Sequence, residues 1–126
     1  MSFMLVQQRY EMMTEVMKSK FIAILLPIKD EEEFKNILKD IRKEHRKAKH
    51  VVYAYRLGQS YKSNDDGEPK GTAGRPLLEL LLKKDINNCA LFVVRYFGGT
   101  KLGAGRLLRT YVQSGVNVIN LLEEKK

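Results

Sequence analysis

Residues 90–111 read ALFVVRYFGGTKLGAGRLLRTY. The run from Ala90 to Tyr96 has the continuous apolar character of a central strand buried on both faces. It passes directly into a glycine-rich turn, Phe97 to Gly105, and the pattern from Ala104 onward is helical. No acidic residue lies between Asp85 and Glu123, whereas Arg95, Lys101, Arg106 and Arg109 surround the turn. Free backbone N–H groups at a helix start, glycines that allow close approach, and nearby fixed cations are the ingredients of an anion site. The residues assigned to it are Arg95, Gly98, Gly99, Lys101, Gly103, Gly105, Arg106 and Arg109. The same glycines also suit a tight turn that needs positive φ.

Working outward, Leu108, Tyr111, Val112, Gly115, Ile119 and Leu122 form the expected core face of the last helix. Arg106, Arg109, Gln113, Asn117 and Asn120 line its other face. Pro76 suits the first turn of a leucine-heavy helix ending at Lys83-Lys84, a helix expected to be mostly buried. Val51 to Leu57 alternates as a strand entered at His50. Asp30 and Glu33 form a capping box, and Phe34, Ile37, Leu38 and Ile41 follow at helical spacing. The segment from Tyr10 to Pro27 reads as extended throughout. Gln59 to Gly74 is the long polar loop, and loops of that length are often functional. Together these elements predict an α+β two-layer sandwich: a mixed four-stranded sheet with the helices on one face.

The 126 residues make one domain, 1–126, large enough to bury a core without metal or disulfide. A net charge of +8 favours polyanionic partners such as RNA. The single cysteine, Cys89, excludes an internal disulfide and reads as a core residue. The N-terminal stretch lacks the apolar core of a signal peptide, and no apolar run is long enough to span a bilayer. A cytoplasmic location without membrane contact is therefore expected.

The glycine turn is neither of the common nucleotide loops. A Walker loop needs Lys followed by Ser or Thr after its last glycine, but Lys101 precedes Gly103. A dinucleotide fold needs a ribose-binding acid about twenty residues on, where this chain has none. The second motif is SNDDGEPKGTAG at 63–74. Its Asp65, Asp66 and Glu68 are the only candidates for hard-cation binding or acid–base chemistry, and Asx-turns are the stronger account of such a cluster. His50 and Arg56 are possible additional contacts. His45 and His50 do not have the spacing of helical metal ligands, and no metal or cofactor is expected. The basic run from Arg42 to Lys49 suits a solvated helix end, unless it faces the glycine turn.

The strings KSKFIA at 18–23, AYR at 54–56, SNDDGEPKGTAGRP at 63–76 and VVRYFGGTKLGAGRLLRTY at 93–111 resemble the N-terminal domain of the IMPACT/YigZ family. The resemblance covers nearly the whole chain. It implies a fold like domain 2 of ribosomal protein S5, and by analogy of fold a role in nucleic-acid binding. It also implies translation regulation, since eukaryotic members restrain an initiation kinase by competing for its ribosome-associated activator. The motifs place Asp65, Asp66, Gly67, Glu68, Gly71, Thr72 and Gly74 in one loop and the glycine turn in another. Arg106 stands where relatives carry a further glycine. Bacterial relatives also carry a second, ferredoxin-like domain, absent from this sequence. The resulting expectation is a binding domain rather than an enzyme, with RNA or a ribosome-associated protein as partner. The alternatives are an enzyme or binder acting on a small phosphorylated or anionic ligand between the two loops, and a protein-interaction module. Oligomeric state is not legible.

Overall fold

The computed structural model describes residues 4–124. Its order is β1 (Met4–Leu5), β2 (Tyr10–Val16), β3 (Ser19–Pro27), α1 (Glu31–Glu44), β4 (His50–Leu57), β5 (Ser60–Asn64), α2 (Gly74–Lys83), β6 (Ile86–Asn87), β7 (Cys89–Tyr96) and α3 (Ala104–Glu124). The fold is α+β with helices packed on a sheet, the class the sequence predicts. The main sheet runs β2-β3-β7-β4-β5, with β1 and β6 forming a small parallel pair beside it.

Two details of the sheet differ from expectation. It has five strands instead of four, and every pairing in it is antiparallel. The fifth strand is β5, which forms an edge hairpin with β4 out of residues assigned to the long loop. Its polar sequence conceals it, because an edge strand needs no buried face. The antiparallel pairing follows from the insertion of β7 between β3 and β4. The α1 crossover makes β3 and β4 run the same way, and β7 opposes both. The stretch from Tyr10 to Pro27 is a hairpin, with Met17 and Lys18 at φ 48° and 69°. Positive φ at both central residues is the primed turn that matches strand twist.

The apolar runs of β3, β4 and β7 are continuous because both faces are covered. Phe21, Ala23, Leu25, Val52, Ala54, Leu91 and Val93 pack under α2 and α3. Ile24, Leu26, Tyr53, Tyr55, Phe92 and Val94 face the other way, toward α1. The expected sharing of one face therefore holds for α2 and α3 only. Phe34 of α1 stacks on Phe92 at 5.6 Å and lies 4.4 Å from the Tyr55 ring. Asp30 caps this helix by accepting from the Glu33 N–H at 2.8 Å, and Glu33 accepts from the Lys29 N–H.

The core face of α3 is rotated by one position at its start: Leu107 is buried and Leu108 exposed. In α2, Leu77 and Leu81 are buried, while Leu82 reaches solvent. No helix among the described residues is long and apolar enough to cross a membrane.

Cys89 is buried, and desolvation pushes its thiol up to about 12 from an ordinary 9.0. Below pH 9.0 the thiol is protonated in folded and unfolded chains alike. Between 9.0 and about 12 only the unfolded chain ionises, so stability is expected to fall as pH rises through that window. Urea midpoints should decline above pH 9, with Cys89→Ala flattening the decline; a midpoint flat to pH 11 would contradict the burial.

Candidate functional site

The two glycine-rich loops form opposite walls of one cleft of about 440 Å³. Glu68 and Pro69 contribute one wall, and Lys101 to Ala104 the other. Lys49, His50 and Arg95 lie between them, with Phe97 and Leu107 at the sides. Strand β7 delivers Arg95 and leads into Phe97, while β4 delivers His50. The cleft therefore sits where the central strands run out against the start of α3.

Packing brings the glycine turn to this position. A Cβ on Gly98 would lie 2.1 Å from the Lys18 carbonyl carbon, so only glycine lets the turn rest on the β2–β3 hairpin. The Gly98 N–H donates to Ser19 Oγ at 3.1 Å. Gly103, at φ 81°, offers its carbonyl to the Leu107 N–H and so caps α3. It has no side chain with which to cap the N–H groups of Ala104, Gly105 and Arg106, which precede the first intrahelical bond. Such a helix start favours negative charge.

The acidic loop is turned inward. Asp65 Oδ1 accepts from the N–H groups of Gly74 at 2.8 Å and Ala73 at 3.3 Å, and Oδ2 from Gly71 at 2.9 Å. It caps α2 from across the loop, because the helix's own N-cap, Ala73, has no polar side chain. Asp66 accepts from the Val51 N–H at 2.7 Å, and its own N–H donates to Asn64. The Thr72 hydroxyl donates to the Pro69 carbonyl. Gly67 and Gly71 take positive φ, and Gly74 packs against the Asn64 backbone.

Glu68 is the centre of a buried polar network. Arg95 Nη1 donates to both of its oxygens, at 3.1 and 2.8 Å, and the Tyr111 hydroxyl donates at 2.5 Å. His50 Nδ1 donates to the Asp66 carbonyl at 2.6 Å, which places Nε2 3.3 Å from Glu68 Oε1. Desolvation, then the bond to Glu68, push the Tyr111 phenol above its ordinary range. Arg95, 4% exposed, is thus neutralised by Glu68 beneath the cleft. Its guanidinium also lies 5.4 Å from the Phe21 ring and 5.8 Å from that of Phe97.

The remaining sequence-derived residues separate. Lys101 lines the cleft, while Gly99 and Gly105 are exposed in the turn and the first helical turn. Arg106 reaches Met17 Sδ, and Arg109 lies on exposed α3 beside Gly105. Arg56 pairs with Asp85 at 2.9 Å, six residues along β4 from His50 and so about 20 Å away at 3.3 Å per residue. The basic run does reach the cleft: Lys49 lines it, and Arg42 lies 3.8 Å from Asp66.

Sequence reading missed Ser19, Lys49, Phe97, Leu102 and Leu107 as parts of this site, and took Tyr111 for a core residue alone. Ser19 was visible only as part of a family string. Lys49 was hidden in a charge run whose direction depends on the α1–β4 connection.

The chain matches the model of the Impact N-terminal domain over residues 17–119. It is 42% identical over 98% of its length to the IMPACT family member YvyE of Bacillus subtilis, spanning 60% of that protein. It is 39% identical over 82% of its length to the IMPACT family member YigZ of Escherichia coli, spanning 52% of it. A solved crystal structure of a hypothetical protein superposes with a TM-score of 0.90 at 32% identity, over 94% of this chain and 60% of that one. The two-domain translational regulator Yih1 superposes at 0.51 with 25% identity, over 94% of this chain and 48% of that one. The chain thus spans about half to three-fifths of these relatives. With most of its length inside the matched segment, and with both glycine loops in it, the chain belongs to the Impact N-terminal domain family.

Proposed function

We propose that this domain is a non-enzymatic binding module of translational control, and that its cleft contacts RNA, free or within a ribosome-associated partner. One observation carries the reading. The three carboxylates of the acidic loop, Asp65, Asp66 and Glu68, are committed to partners within the protein. The charge left to a ligand is then positive: Lys49, Lys101 and the start of α3. Arg95 builds the floor by holding Glu68, so it acts on a ligand only through the shape of the site. The likeness to a translational regulator supports the biological setting.

Salt dependence tests it. Binding of a single-stranded RNA oligonucleotide should weaken steeply as salt rises, with log K falling linearly against log salt. Lys49→Ala and Lys101→Ala should each reduce the slope by about one unit while leaving thermal stability unchanged. Binding that ignores salt, or slopes equal to wild type in both variants, would refute the assignment.

A further inference from the structure

We infer that the cleft is a subsite for one unpaired nucleotide, its phosphate held at the start of α3 and its base stacked on Phe97. This rests on the RNA reading and specifies the ligand. Phe97 is 45% exposed although it follows the most buried strand of the sheet. An aromatic ring held at the side of a concave, cationic cleft differs from a hydrophobe scattered singly on a surface. Lys49 Nζ lies 5.3 Å from its ring centroid, close enough to serve both a phosphate and a ring.

The cleft is also chemically divided. Lys49, Lys101 and the helix start present positive charge, whereas Pro69, Leu102, Leu107 and Phe97 are apolar. A bare phosphate would leave the apolar part unfilled, and a purely apolar ligand would leave the cations unmatched. A nucleotide joins a flat aromatic group to a phosphate within one small unit. The volume of about 440 Å³ falls in the range of about 300–1,000 Å³ usual for small-ligand sites.

A second observation is independent of the helix start. Lys49 and Lys101 are both exposed at the cleft, and neither has an ion-pair partner among the described residues, so two cations are free to meet a phosphate. The site is recessed, which selects against duplex. In a duplex both faces of each base are covered by neighbours, whereas an unpaired base has a face free for the ring.

The test compares wild type with Phe97→Leu, a change at an exposed position, after equal melting temperatures are verified. The probes are a single-stranded adenine-rich RNA, the same length without bases, a duplex, and adenosine 5′-monophosphate. The base-bearing single strand should bind wild type at least tenfold more tightly than the abasic strand or the duplex. Phe97→Leu should weaken that binding by about 5- to 150-fold without changing the salt slope. It should leave the abasic strand unaffected. Saturable, Phe97-dependent binding of the monophosphate would assign the subsite to free nucleotides as well; strand binding alone would restrict it to RNA. Salt-dependent RNA binding that is indifferent to Phe97→Leu would overturn the stacking subsite and leave the RNA reading standing. No salt-dependent binding of any strand would overturn both.

Discussion

Glu68→Ala is expected to destabilise the domain by about 3–5 kcal/mol, the usual result of removing one partner of a buried ion pair. The carboxylate receives two bonds from Arg95 and one from Tyr111. Without it, the Arg95 guanidinium keeps only a 3.4 Å contact to Ser19 Oγ, under a 4% exposed side chain. The Tyr111 hydroxyl is left buried with its acceptor gone. Urea unfolding monitored by circular dichroism measures the loss. Tyr111→Phe should cost far less than Glu68→Ala, since it removes donor and demand together. A combined Glu68→Leu, Arg95→Met, Tyr111→Phe variant should recover much of the loss, because apolar replacement of a buried pair avoids desolvating charge. A Glu68→Ala loss below about 1 kcal/mol would mean that water screens the pair.

Asp65→Ala should be the second most damaging change, at roughly 2–4 kcal/mol, because it strips acceptors from the amides of Gly71, Ala73 and Gly74 together. Each partly buried amide left unmatched costs about 1–3 kcal/mol, reduced where water can replace the carboxylate. The carboxylate also offsets the positive end of α2, whose first turn contains no acidic residue. Asp65→Asn should lose less, since its remaining oxygen can still accept from Ala73 and Gly74. Because this loop is one wall of the cleft, Asp65→Ala should weaken RNA binding while preserving the salt slope, the cations being untouched. A stable Asp65→Ala protein with unchanged RNA affinity would separate the acidic loop from both fold and site.

The elements of the chain were largely legible from local signals. The capping box of α1, the apolar run of β7 and the glycine turn into α3 each carry their own chemistry, whatever packs on them. Edge strand β5 was not legible, because a strand with no buried face has no alternation to display. The side of the sheet that α1 covers was also hidden, since a continuous apolar strand shows that both faces are buried without saying by what. The acid-free stretch around the glycine turn and the acidic loop could each be read as a motif, and as a likeness to a known family, from residue types alone.

What those residues do was decided by tertiary structure. Arg95 has the same formal charge in the sequence as Lys101, yet one is neutralised beneath the cleft by Glu68 and the other is exposed at its wall. That difference arises from pairing between residues 27 positions apart, brought together by a sheet order in which β7 enters between β3 and β4. The inventory of charge, the turn and the family follow from residue order. Only the fold determined which charges cancel, because electrostatic interaction depends on distance and burial, and neither is written in the order of residues.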